Sequence, residues 1–172
     1  MKPGFALVSL AVTLLWSVAA AALPAPKVSI ASLAELPIVE RAPYDVNANA
    51  SAAVDAAFTR ARNNGKRVLI DMGGNWCGDC IVLANLMQLP EMKSFLTAHF
   101  EIVSVDIGRY DHNLQIPTRF GALDLLKRGG VPSIIIAEPD GTFVNRTDVS
   151  ALEDARHMTP QSIADWLAQW AK

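Results

Sequence analysis

Val68-Leu69-Ile70-Asp71-Met72-Gly73-Gly74-Asn75-Trp76-Cys77-Gly78-Asp79-Cys80 is the stretch on which the fold of this chain turns. Val68, Leu69 and Ile70 form a short apolar run of strand formers between Arg67 and Asp71, which predicts a buried central strand. Residues 72–76 read as a tight connection, where Gly73 and Gly74 allow close backbone approach. Cys77 then opens a helix expected over residues 77–89. A helix start presents N–H groups without helical partners and a partial positive charge. Both favour the thiolate, the form of cysteine that attacks a disulfide. Cys80 falls three residues on, one turn into the same helix.

Cys77 and Cys80 are the only cysteines. The loop they would close is too small to constrain much unfolded-chain entropy. A disulfide framework would use more cysteines, set further apart. The spacing therefore points to redox work. Zinc and copper(I) sites use the same spacing, so a metal-binding module built with His99, His112 or His157 is the alternative. None of the three histidines stands at a standard short spacing from the pair.

Working outward, residues 1–22 carry Lys2, an uncharged apolar run over 5–18, and Ala20, Ala21 and Ala22. That order reads as a secretory signal, cut after Ala22 or else after Ala20. Uncleaved, the apolar stretch would just span a bilayer as an anchor. Residues 23–49 hold Pro24, Pro26, Pro37 and Pro43 and read as an extended arm or linker. Residues 50–172 form the expected domain. It opens with a helix over 50–64, where Val54, Ala57, Phe58 and Ala61 recur at helical spacing and Gly65 stops it.

After the cysteine helix, Pro90 should divide off a second helical piece, 91–99. Ile102, Val103 and Val105 predict a strand, and Ser133 to Ala137 another. Residues 108–130 read as an insert with one helix near 120–127. Its polar, mixed-charge residues (Arg109, Tyr110, Asp111, His112, Asn113, then Arg119, Lys127 and Arg128) fit a surface loop, with a lining of the substrate groove as the alternative, since the insert ends at Pro132. Pro139-Asp140-Gly141 signals a hairpin turn, with 142–146 as the returning strand. Thr159-Pro160 caps a last helix that buries Ile163, Trp166, Leu167 and Trp170. The early strands joined by helices should be parallel and the closing hairpin should add antiparallel strands, giving a mixed sheet between helices.

The composition excludes little and suggests no unusual partner. The 172 residues are 51% apolar and carry a formal charge of -2, without a basic stripe for nucleic acid.

The buried strand, then Trp76-Cys77-Gly78-Asp79-Cys80, then Val131-Pro132-Ser133, resembles the thioredoxin family over residues 50–172. The resemblance is to its exported, periplasmic thiol–disulfide oxidoreductases. It implies an α/β thioredoxin fold with a mixed central sheet flanked by helices. To this the chain adds an N-terminal extension and an insert before a cis Pro132. It further implies that Cys77 attacks a protein disulfide and Cys80 resolves the mixed disulfide. Asp71 would be a buried carboxylate beneath Cys80, raised in pKa by desolvation and able to act as its base. Val131, before the cis Pro132, would pair with an extended substrate segment. Trp76 would flank that surface.

Gly78-Asp79 replaces the familiar Gly-Pro pair and should tune the potential. An acidic neighbour disfavours the thiolate, which fits a reducing or isomerising role better than a strongly oxidising one. Asp79 also reads as a first-turn residue complementing the helix dipole. The family's lysine near the buried carboxylate is replaced by Ile102 in this register. The implied partners are a protein bearing disulfides or thiols and a redox partner protein. No cofactor, metal or nucleic acid is expected, the chain is read as a monomer, and membrane contact arises only if residues 1–22 persist. A thioredoxin-fold binding domain without turnover is a further alternative, against which the intact cysteine pair argues.

Overall fold

Three strands form the sheet: β1 (Arg67–Gly73), β2 (Phe100–Asp106) and β3 (Ser133–Ala137), in the order β2-β1-β3. The structure is a computed structural model that describes residues 23–172. The expected signal segment, 1–22, lies outside the described residues. β1 is parallel to β2, with Arg67 opposite Phe100 and Asp71 opposite Ser104. It is antiparallel to β3, with Met72 opposite Ser133. Paired on both edges and covered on both faces, its residues from Val68 to Met72 are sealed from solvent. That burial explains an apolar run instead of an alternating one.

The helices explain the rest of the layering. α1 (Ala50–Asn64) has Asn49 as its N-cap, accepting from the Ala52 N–H at 3.0 Å, and ends at Gly65 with φ 78°. Ala50, Val54, Ala57, Phe58 and Ala61 make its buried stripe. They pack with Val68, Ile70, Val103 and Ile135 in one apolar layer. α2 (Gly78–Met87), α3 (Pro90–His99) and α6 (Pro160–Ala168) supply the other, around Leu69, Ile134 and Ile136. Pro90 begins α3 and Pro160 begins α6, each where its missing N–H costs nothing. Thr159 caps α6, accepting from the Ser162 N–H at 3.1 Å. The deepest residues of α6 are Ile163, Ala164, Leu167 and Ala168, while Trp166 and Trp170 are only partly covered.

The structure departs from the sequence-based expectations at three places. Met72 and Gly73 belong to β1, so the connection to α2 is shorter than expected. The insert holds two helices, α4 (Gln115–Arg119) and α5 (Leu123–Gly129), divided at Gly121 with φ 63°. It is not a surface loop, because Ile116, Phe120, Ala122 and Leu126 enter the core and Phe120 stacks on Phe58 at 6.0 Å. Last, residues 142–146 form no strand. The turn is present, with Gly141 at φ 93°, but pairing stops after a single bridge from Ala137 to Phe143. The Asn145 side chain takes over the edge. It accepts from the Ile136 N–H at 2.7 Å and donates to the Ile134 carbonyl at 2.8 Å. A side-chain amide thus fills the positions that a partner backbone would have used.

Residues 23–49 lie along the domain. Val28, Leu36 and Tyr44 are buried from this arm. Among the described residues no helix is long and apolar enough to cross a membrane.

Candidate active site

α2 starts immediately after Cys77, whose sulfur is its cap. Cys77 Sγ accepts from the Cys80 backbone N–H at 3.1 Å. The sulfur therefore sits among N–H groups that lack helical partners, where negative charge is favoured. Cys77 and Cys80 are joined as a disulfide. Cys77 keeps 5% exposure and Cys80 none. The loop before them is closed by Cys77 N–H donating to the Gly74 carbonyl at 3.0 Å.

Pro132 follows a cis peptide bond at the entry to β3, and the Val131 carbonyl oxygen lies 3.5 Å from Cys77 Sγ. Trp76 is 43% exposed beside the pair. Its Nε1–H donates to the Gly108 carbonyl at 2.7 Å, and the Arg109 guanidinium stands 4.8 Å over its ring. Tyr110 lies 6.5 Å away, ring to ring. The start of the insert thus lines the cysteine site.

Asp71 is fully buried, and burial pushes its carboxyl up to about 7. Among the described residues, the hydrogen-bond donor acting against that shift is the Tyr44 hydroxyl, 3.0 Å from both carboxylate oxygens. Ile102 pairs with Leu69 in the sheet, so no lysine reaches Asp71 from that register. Tyr44 comes from the arm. Burial first, and then the Asp71 charge, raise its hydroxyl well above the ordinary range, so it stays a donor.

Asp79 is largely buried and turned to Arg156. Its Oδ1 accepts from the Arg156 backbone N–H at 2.9 Å and its Oδ2 from Nε at 3.1 Å. Gly78 leaves room for this cation: a Cβ there would stand 3.1 Å from Arg156 Nη1. The acidic neighbour foreseen in the sequence is therefore charge-matched.

The histidines lie elsewhere. His99 Nδ1 is 2.9 Å from the Lys172 carbonyl oxygen, His112 Nδ1 is 3.4 Å from Asp106, and His157 contacts Asp154. Among the described residues no group of three or more His, Cys, Asp or Glu converges as a metal site.

Sequence reasoning missed Tyr44, Arg156, Asn75 and Asn85. Asn75 accepts from the Tyr44 N–H at 3.0 Å and donates to the Tyr44 carbonyl at 2.8 Å. On α2, Asn85 accepts from the Val39 and Glu40 N–H groups at 2.9 Å and donates to the Glu40 carbonyl at 2.7 Å. The only available signal was that Tyr44 is the one aromatic residue of the arm.

A helix capped by the first sulfur of a buried pair, facing a cis proline across the sheet end, defines a class. Residues 49–139 match the thioredoxin-like family, and the chain belongs to it. A thioredoxin of Alicyclobacillus acidocaldarius is 33% identical over 82 residues, 45% of this chain and 73% of that one. The thiol:disulfide interchange protein DsbD 1 of Pseudomonas aeruginosa is 31% identical over 96 residues, 55% of this chain but only 15% of that larger protein. The solved disulphide isomerase of Xylella fastidiosa Temecula1 superposes with a TM-score of 0.68 at 32% identity, over 73% of this chain and 94% of that one. With its Cys77–Cys80 disulfide, this chain is a thiol–disulfide oxidoreductase acting on protein disulfides.

Proposed function

We propose that the protein reduces or isomerises disulfides of other proteins outside the cytoplasm, acting as a monomer, with Cys77 as nucleophile and Cys80 as resolving thiol. The observation that carries the assignment is the asymmetry of the pair. Cys77 caps the helix and retains 5% exposure, while Cys80 has none. Only the first sulfur can meet a substrate. In the reduced enzyme the Cys77 thiolate attacks a substrate sulfur, the substrate S–S bond breaks, and the departing sulfur takes the bonding pair and a proton. Cys80 then gives its proton to Asp71 and attacks Cys77 Sγ. The second substrate sulfur leaves, and the Cys77–Cys80 disulfide remains. Val131 offers backbone groups to an extended segment beside the sulfur, and Trp76 flanks it.

The reducing or isomerising direction is supported by what the relatives are called, an interchange protein and a disulphide isomerase. Asp79 supports it less than its sequence position suggested, since Arg156 balances its charge. Export is supported by the charge, apolar run and alanines of residues 1–22. Reduction of insulin and rescue of a scrambled disulfide protein should both be lost in Cys77→Ser. Cys80→Ser should instead accumulate mixed disulfides. A potential near the strongly oxidising end, about -120 mV, would overturn the direction.

A further inference from the structure

We infer that Tyr44 is a positioning residue of the resolving step, its hydroxyl holding the Asp71 carboxylate as that group takes the Cys80 proton. The inference rests on the assignment of Asp71 as base for Cys80.

Three observations converge on it. First, the hydroxyl is 3.0 Å from each oxygen of a carboxylate that has no other side-chain partner among the described residues. Second, Tyr44 Oη and Cys80 Sγ both border the place that a Gly73 side chain would occupy. A Cβ at Gly73 would stand 2.5 Å from the hydroxyl oxygen and 2.9 Å from the sulfur. The absent side chain of Gly73 leaves that place to the phenol and the resolving sulfur. Third, the arm that delivers Tyr44 is clamped to the active-site elements themselves. Asn75 in the loop before Cys77 binds Tyr44 through two backbone hydrogen bonds, and Asn85 on α2 binds the arm at Val39 and Glu40. Residue 44 also precedes the matched family region, which begins at 49. The arm therefore adds a component that lies outside that match.

The step balances without an external reagent. The Cys80 S–H proton passes to an Asp71 oxygen, while Tyr44 Oη keeps its own proton and its hydrogen bond to the carboxylate. Cys80 becomes the thiolate, Asp71 the neutral acid, and Tyr44 remains a neutral phenol. No electron is transferred until the Cys80 thiolate attacks Cys77 Sγ. The charged and titratable groups around Asp71 are few. Tyr44 faces it from the arm, the Cys80 sulfur lies on α2 and the Cys77 sulfur caps it. Asp106, at the end of β2, acts on Tyr44 and is itself faced by His112 at 3.4 Å.

The test uses the full chain and a disulfide-bonded peptide, timing first attack and resolution separately from pH 5 to pH 9. Wild-type resolution should rise through a midpoint near the Asp71 value of about 7. Tyr44→Phe should slow resolution by about tenfold at neutral pH. It should also move the midpoint upward, because the hydrogen bond that favours the ionised carboxylate is gone. First attack by Cys77 should keep its wild-type rate. Asp71→Asn should abolish the midpoint. If Asp71→Asn flattens the profile while Tyr44→Phe matches wild type, the Tyr44 inference is wrong and the base assignment stands. If Asp71→Asn leaves the profile intact, both fall. Carbon NMR titration of the Asp71 carboxyl in the reduced protein checks the same point independently of rates. An upward shift in Tyr44→Phe supports the role, and an unmoved titration overturns it.

Discussion

Asp79 and Arg156 hold each other by two contacts across 77 positions of sequence, one from the Arg156 backbone N–H at 2.9 Å and one from its Nε at 3.1 Å. The pair pins the short 3-10 turn Ala155–His157 against the start of α2, directly beside the active disulfide. The carboxylate raises the pKa of the Arg156 guanidinium and holds it beside Gly78.

Removing the cation should therefore change the redox poise. Arg156→Ala leaves the Asp79 charge unmatched beside the cysteines, which disfavours the thiolate and stabilises the disulfide. The potential should fall by on the order of 10–30 mV. Asp79→Asn should move it the other way. Equilibration of each variant with a glutathione buffer measures both, and equal potentials in all three proteins would refute the coupling.

Asp71 should make stability depend on pH in the sense opposite to a salt-bridged carboxylate. Its folded value of about 7 lies above the ordinary 3.8. Between those limits the native state binds a proton that the unfolded chain has lost, so stability falls as pH rises from about 4 to about 7. The full cost above that window is at most about 4 kcal/mol. Urea unfolding should show wild type weaker at pH 8 than at pH 5, and Asp71→Asn should lose most of that difference.

Asn145 should behave as a structural keystone. Its amide closes two hydrogen bonds on the edge of β3. Asn145→Ala strands a buried N–H and a buried carbonyl, costing about 2–4 kcal/mol. Thermal or urea unfolding should register that loss while the potential of the cysteine pair stays put.

Trp76 and Arg109 should matter for large substrates. The exposed ring is held by Gly108 and roofed by the guanidinium. Arg109→Ala removes an interaction worth about 0.5–1 kcal/mol and frees the ring. The value of kcat/KM for a protein disulfide should drop by about two- to fivefold, carried by KM. A small aromatic disulfide should react at the wild-type rate.

Sequence alone revealed the parts of this protein whose causes are local. The helix over Ala50–Asn64 announced itself by its apolar spacing and Gly65, and the start of α2 at the first cysteine followed from adjacency. What escaped was decided by residues far apart in the chain. Nothing near Tyr44 says that it will meet Asp71, 27 positions on, and nothing near Arg156 points to Asp79. The returning strand after Gly141 failed for a similar reason. A good turn was present, yet one buried side chain, Asn145, outcompeted the backbone for the partners on β3. The insert misled because its polar beginning hides the buried Ile116, Phe120 and Leu126 that follow.

Gly73 ties the history of two distant positions together. Any side chain there would collide with the arm's phenol on one side and the resolving sulfur on the other. The chain can vary at this position only if it first gives up the aromatic hydroxyl at position 44, and the sulfur still forbids all but small change. Descendants that shed the arm should therefore drift at 73 before they drift at Cys80. In lineages that keep it, the glycine and the tyrosine should be lost or retained together.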